Sequence, residues 1–262
     1  MSQAKVPAWV TIGLLPAINV LVAFMVSALL FIYIDINPID AVKVMWDGAF
    51  GYAEGFGYTL YYSTGFIFTG LAVSVAYHAG LFNIGAEGQA YIGGLGVGLV
   101  CLTLGEVAPW YVVFPVAVIA GGLFGAAWAF IPAYLQAKRG SHIVITTIMF
   151  NFLASSLMAY LLVDILKPDA SMATESRVFA VNSWLPKMHE ILGFFGIELA
   201  PSPLNLSFIF ALFCCLFVWL FIWHTRWGYQ LRTVGTNATA AEYAGIDNSK
   251  VTIWVMLISG GL

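Results

Sequence analysis

Long stretches of the chain contain no charged residue, and they constrain the fold more than any other feature. Examples are residues 6–34, 107–136 and 199–223. About 20 apolar residues in a helix are enough to cross the hydrocarbon core of a bilayer, and each stretch is longer than that. Because lipid offers the backbone no hydrogen-bond partners, segments that cross it in such a chain are helical. We therefore predict an all-α, polytopic membrane protein.

The other apolar segments extend this prediction to a bundle of about seven spans. Only 9% of the residues are charged, whereas soluble domains contain about 25%. We treat residues 1–262 as one transmembrane domain. The seventh helix starts at residue 251, and the chain reaches Leu262 before this helix is long enough to cross, so we expect it to be incomplete. The six earlier predicted spans are 8–34, 57–77, 87–104, 109–135, 143–165 and 204–224.

The positions of lysine and arginine predict the orientation, because cytoplasmic links carry an excess of both. A cytoplasmic N-terminus places the links 136–142 and 225–250 inside and the long loop 166–203 outside. The link 78–86 then lies on the cytoplasmic side or dips into the membrane. This orientation puts six bases inside, namely Lys5, Lys138, Arg139, Arg226, Arg232 and Lys250, against four outside, namely Lys43, Lys167, Arg177 and Lys187.

The stretch "LFNIGAEGQAYIGG" (81–94) puts polar residues and glycines between two predicted spans. Polar side chains at membrane depth are costly and often mark a transport pathway, and glycines permit a broken helix or a close crossing. We expect a break here. Asn83 and Glu87 either cap the broken helix, contact a substrate or lie at the cytoplasmic surface. The candidate pathway or helix-break residues are Asn83, Gly85, Glu87, Gly88 and Gln89, together with Asn151 in a later span, which lines the pathway or bridges neighbouring helices.

The link 225–250 contains a predicted short helix. Asn237 is suited to cap it, the run 238–244 favours helix, and Gly245 is suited to end it. A capping box of Thr239 and Glu242 is the alternative start. A helix of about two turns is marginal alone in water, so we expect it to rest on the membrane surface or on a cytoplasmic partner.

Three motifs in this chain resemble one transporter family. "GYQLRTVGTNATAAEYAGI" (228–246) resembles the cytoplasmic coupling segment of ABC-importer permeases of the ribose/branched-chain amino acid/nucleoside superfamily. "LFNIGAEGQ" and "GSHIVITTIMFNFLA" (140–154) resemble motifs of its nucleoside/simple-sugar branch, although His142 stands near the place where an acid is usual. The resemblance implies that the segment 225–250 couples the chain to a separate ATPase. The candidate coupling residues are Arg232, Gly235, Asn237, Ala240, Ala241, Glu242 and Gly245.

The resemblance also implies a function and partners. The chain is expected to be the permease subunit of an ATP-driven importer for a nucleoside or simple sugar, in a bacterial cytoplasmic (inner) membrane. It is expected to pair with a second permease subunit, identical or paralogous, and with an extracytoplasmic substrate-binding protein. The loop 166–203 is either the docking site of that protein or an external lid. We expect no cofactor on this chain, which lacks a G-x-x-x-x-G-K-[ST] phosphate loop, and ATP with Mg²⁺ on the partner ATPase.

A stand-alone secondary transporter or channel is the competing class. It requires a residue within a span that couples transport to a proton or ion, and Glu87 is the candidate.

Overall fold

A computed structural model describes residues 7, 9–168, 172–196 and 199–262 of the chain. These residues form helices joined by turns and loops, and no strand occurs among them apart from one isolated bridge between Lys187 and Asn205. The predicted all-α fold class is therefore confirmed.

The chain divides into two compact units. The first comprises Met1–Thr59 and Ala200–Ser202, and the second comprises Leu60–Leu199 and Pro203–Leu262. The prediction of one transmembrane domain stays a prediction, as do the assignments of the two large loops to opposite sides of the membrane.

In the first unit, a π-helical turn (Val10–Leu14) leads into α1 (Leu15–Tyr33), which is apolar along its whole length and has no buried residue. The side chain of Asn37 accepts a hydrogen bond from the Ile39 N–H at 3.0 Å and so caps α2 (Pro38–Phe50). An apolar helix without buried residues is suited to lipid contact.

The second unit contains most of the longer helices. A π-helical turn, Leu161–Ile165, extends α6, and a 3₁₀ turn, Val181–Ser183, lies in the loop before α7. The helices are α3 (Ala53–His78, which begins in the first unit), α4 (Ala86–Leu104), α5 (Trp110–Arg139), α6 (Ile143–Tyr160), α7 (Met188–Phe194), α8 (Ser207–His224), α9 (Arg226–Thr236), α10 (Ala238–Tyr243) and α11 (Asn248–Gly261).

Five helices of the described chain are long and apolar enough to cross a membrane. They are Val10–Tyr33, Ala53–His78, Trp110–Arg139, Ile143–Ile165 and Ser207–His224. Helices also form at the other two predicted positions. α4 has 19 residues but includes Glu87, Gln89 and several glycines that lower its mean hydropathy, and α11 has 14 residues.

Small residues let α4, α5 and α11 approach closely. A Cβ atom on Gly96 of α4 would lie 2.8 Å from the Ala120 carbonyl oxygen of α5. A Cβ atom on Gly125 of α5 would overlap the carbonyl oxygen of Gly260 in α11. Such backbone contacts are typical of membrane helices that pack through glycine.

The main core of the second unit lies where the end of α3 meets α8–α11. Leu231 of α9 and Val255 and Met256 of α11 are fully buried there, packed with Val75 of α3 and Leu81 of the following link. The predicted cytoplasmic segment is therefore part of the folded core.

Candidate functional site

The link between α3 and α4 turns sharply and then continues without regular structure. α3 ends at His78, and Gly80 adopts φ = 72°, a left-handed conformation that glycine reaches without steric cost. Residues 81–84 are irregular, and α4 begins at Ala86. The predicted helix break is therefore present.

The helix ends next to this link lie together. A Cβ atom on Gly235, near the end of α9, would overlap the His78 carbonyl oxygen and lie 2.9 Å from the Gly80 nitrogen. The Ser249 hydroxyl, at the start of α11, donates a hydrogen bond of 3.1 Å to the Ala137 carbonyl near the end of α5. This end of the second unit carries the basic links 136–142 and 225–250.

The break lies well inside the bundle, away from that end. The Asn83 amide donates to Ser259, which is about 16 Å along α11 at 1.5 Å per residue, and Ser259 bonds to Ala72, about 9 Å before the end of α3. The Gly88 N–H donates to Asn151, about 12 Å into α6. The break therefore lies beside the inner turns of the candidate membrane helix Ile143–Ile165.

Asn83 organises the break through a closed set of hydrogen bonds. Its oxygen accepts from the Gly85 N–H at 2.9 Å and from the Gln89 amide at 3.3 Å. Its nitrogen donates to the Gln89 Oε1 and to the Ser259 hydroxyl, both at 2.9 Å. Ser259 in turn donates to the Ala72 carbonyl at 2.6 Å. Asn83 is 2% exposed, so these bonds replace water for a buried amide.

Asn151 binds the same break from a different helix. Its oxygen accepts from the Gly88 N–H at 2.9 Å, and its nitrogen donates to the Ile84 carbonyl at 2.9 Å. It therefore satisfies one of the N–H groups that the first turn of any helix leaves without an intrahelical partner. Asn151 therefore bridges α6 and the start of α4, and its place in the pathway stays a prediction.

The surroundings of the two glycines of the break leave little room for a side chain. A Cβ atom on Gly85 would lie 3.0 Å from both Asn83 Oδ1 and Gln89 Nε2. A Cβ atom on Gly88 would lie 2.9 Å from Asn151 Oδ1. Any side chain at either position therefore pushes on the amides that hold the break.

Glu87 behaves differently from its polar neighbours. It lies in the first turn of α4, where its charge suits the helix dipole, but it is exposed and forms no hydrogen bond or ion pair with the described residues. Of the two residues expected to cap the break, only Asn83 bonds to it. A carboxylate that faces lipid at the bilayer centre costs about 2.5–3.5 kcal/mol on insertion scales, so this position calls for water or protein.

Helix α9 is anchored by its inner face. The Thr225 hydroxyl caps it by accepting from the Gly228 N–H at 3.0 Å, and Leu231 is fully buried. The guanidinium carbon of Arg232 lies 4.6 Å from the centroid of the Trp223 ring, a cation–π distance. Arg232 therefore packs against the end of α8.

Helix α10 forms as predicted, with Asn237 as its cap. The Asn237 oxygen accepts from the Ala240 N–H at 3.0 Å, so the alternative start at Thr239 is wrong. The helix ends at Tyr243, and Gly245 adopts φ = 77°.

The two faces of α10 have different surroundings. Ala241 is 0% exposed and packs in the core, so its side chain positions the helix, and its role in coupling to an ATPase stays a prediction. Ala240 and Glu242 are exposed, and Tyr243 is 90% exposed. These three residues form the outer face of α10.

The segment after α10 is fixed to the start of α11. The Asn248 amide donates to the Ala238 carbonyl at 2.8 Å. Asp247 caps α11, and the hydrogen bond from the Lys250 backbone N–H to its carboxylate lowers the pKa of Asp247. The Lys250 ammonium is 3.5 Å from the same carboxylate.

Sequence reasoning missed Ser259 and Thr147. Ser259 is 176 positions from Asn83 in the chain, so no local pattern connects them. Thr147 is fully buried beside Gly85, and its hydroxyl bonds to the Ile143 carbonyl of its own helix at 2.8 Å. The one feature of the sequence that could have indicated these two residues is that each is a hydroxyl residue within an apolar helix. Among the described residues, no three His, Cys, Asp or Glu side chains form a group that could hold a metal ion.

The known proteins and the protein family that this chain resembles are all permease components of transport systems. A family model described as "Branched-chain amino acid transport system / permease component" matches residues 55–262. The guanosine ABC transporter permease protein NupP of Bacillus subtilis is 32% identical over 94% of this chain and 68% of its own length. The glucose ABC transporter permease protein TsgB13 of Haloferax volcanii is 31% identical over 98% and 67%, respectively. The nucleoside ABC transporter permease protein NupB of Lactococcus lactis is 29% identical over 95% and 68%.

No solved structure matches the chain significantly. The matched family and the apolar helices together indicate a multi-pass inner-membrane protein. The chain therefore belongs to the branched-chain amino acid transport system permease family, as a membrane subunit of an ABC transporter without its own ATPase site.

Proposed function

We propose that the chain forms the pathway of an ATP-driven importer for a nucleoside or simple sugar. In this proposal, α9 and α10 couple the chain to a separate ATPase, which binds ATP and Mg²⁺. A second permease subunit and an extracytoplasmic binding protein complete the transporter, and the N-terminus is cytoplasmic. The names of the relatives, which include guanosine, nucleoside and glucose permeases, support this substrate class.

The observation that carries the proposal is the packing of the coupling segment on the helix break. Gly235 of α9 lies against the backbone of residues 78–80, with no room for a side chain between them. Leu231 and Ala241 share one core with Leu81, two residues before Asn83. A displacement of α9 and α10 therefore acts directly on the link that leads to the break.

From the break, the hydrogen bonds extend to three helices. Asn83 bonds to Ser259 of α11, Ser259 to Ala72 of α3, and Asn151 of α6 to Gly88 of α4. Because packed helices and hydrogen-bonded networks move between discrete arrangements, pulling on this link is a means to change the relative positions of these helices. That is the motion an alternating-access importer requires.

Replacing Tyr243 with arginine tests the docking face. We expect Tyr243→Arg to lose most of the copurifying ATPase, because it puts a charge on the outer face of α10, at its C-terminal end, without touching the core. The measurement is the amount of ATPase subunit retained by affinity-tagged permease in detergent.

Phe194→Arg is the matched control. Phe194 is 87% exposed and lies in the predicted outward loop, so this variant should retain the ATPase. Equal retention of ATPase by both variants would show that α10 is not the docking helix.

A further inference from the structure

One face of α4 is exposed along its first two turns. Glu87, Ala90, Tyr91 and Gly94 recur at helical spacing, so they lie on the same side of the helix. All four are exposed, and Tyr91 is 42% exposed. Gly88, Gln89, Ile92 and Gly96 are buried on the other sides of α4.

This face starts beside the interior of a candidate membrane helix, Ile143–Ile165, but is not suited to lipid. It starts next to Gly88, which bonds to Asn151 well inside the bundle, and it carries a carboxylate with no partner in the described chain. Ala90 has a short side chain and Gly94 has none, so little side-chain bulk lies beside Tyr91 on this face. A Cβ atom on Gly94 would meet no atom within 4 Å, so the space in front of it is open.

The second unit of another copy of the chain does not supply a cation that could pair with Glu87. In the second unit, every lysine and arginine lies in a link or at the helix ends near the links, as Arg139 and Lys250 do. Two such faces packed against each other would bring carboxylates together without a cation at that depth. A water-filled pathway keeps the carboxylate hydrated until a ligand replaces the water.

We infer that this face of α4 lines the pathway and binds the substrate. Glu87 accepts hydrogen bonds from hydroxyl or N–H groups of the ligand, and Tyr91 contacts a face of its ring. The ligand class is a neutral ring compound with several hydrogen-bond donors; a carboxylate here repels anions such as nucleotides. The inference rests on the proposed import function and adds the substrate contacts to it.

The test is uptake of radiolabelled guanosine and glucose by cells that express the complete transporter. For the transported compound, Glu87→Gln should raise KM at least about tenfold, equivalent to about 1.4 kcal/mol, because the substrate loses a charge-assisted hydrogen bond. Tyr91→Ala should lose uptake, and Gly94→Leu should block the pathway. The amount of copurifying ATPase should stay at the wild-type level in all three variants.

Gly70→Leu is the control for Gly94→Leu. Gly70 is also an exposed membrane-helix glycine with no atom within 4 Å of an added Cβ, and this variant should transport normally. If Glu87→Gln has the wild-type KM and Gly94→Leu takes up substrate normally, the inference is overturned. The proposed import function is not affected by that result. Loss of folded, ATPase-bound protein in Glu87→Gln would also overturn it, since that result assigns the carboxylate a structural role. Failure of the wild type to take up either compound would instead refute the proposed substrate class, and the inference with it.

Discussion

Replacing Gly235 with valine is expected to abolish uptake while the ATPase remains bound. An added Cβ overlaps the His78 carbonyl oxygen and lies 2.9 Å from both the Ala79 carbonyl carbon and the Gly80 nitrogen. These are backbone atoms, so the strain is relieved only if α9 separates from the end of α3. Overpacking of this kind costs about 1–3 kcal/mol, enough to shift the contact to a separated arrangement. The outer face of α10 is unchanged, so docking should persist.

Two assays separate these effects for Gly235→Val. Uptake should fall more than about tenfold, in keeping with that cost, while copurification of the ATPase stays near the wild-type level. Thr236→Val is the neighbouring control, since Thr236 is exposed and bonds only to Arg232 in its own helix. Normal uptake by Gly235→Val would mean that the contact between α9 and residues 78–80 does not transmit movement.

Replacing Gly125 with leucine is expected to prevent stable packing of the second unit. The Gly125 backbone contacts Gly260 of α11, and an added Cβ would also lie 3.5 Å from the Gln89 carbonyl oxygen of α4. Three helices therefore meet at one glycine, and a leucine side chain must push them apart. Association between membrane helices depends on this close van der Waals contact, because lipid is as apolar as the helices.

Purification yield and thermal unfolding measure the effect of Gly125→Leu. We expect little monodisperse protein, and a melting temperature at least several degrees lower in what remains, consistent with a cost of about 1–3 kcal/mol. Gly70→Leu, at a glycine with open space around it, should purify like the wild type. Equal stability of the two variants would show that α5 and α11 do not pack as described.

Local patterns were sufficient to predict the long apolar helices and α10, but not α2, α7 and α9. Uncharged apolar stretches located the membrane helices because a membrane imposes length and hydropathy on a segment regardless of its neighbours. Asn237 and Gly245 located α10 because a cap and a left-handed end depend on adjacent residues alone. The polar and glycine residues of 81–94 indicated the break for the same reason.

Contacts between distant segments were not predictable in this way. The sequence does not reveal that Asn83 pairs with Ser259, or that Asn151 supplies the cap expected of Glu87. Ala241 illustrates the same limit, since an alanine in a short helix suits either a docking face or a core. Only the packing of α10 against α9 and α11 distinguishes the two.

The most direct measurement of the central claim is energy dependence of uptake in reconstituted vesicles. The vesicles contain the permease, its candidate ATPase subunits and the binding protein, and radiolabelled guanosine and glucose are the substrates. We predict uptake of one or both compounds that requires ATP with Mg²⁺ on the ATPase side and persists when an uncoupler removes the proton gradient. Uptake by the permease alone, driven by a pH gradient and lost in Glu87→Gln, would contradict the account and identify a secondary transporter.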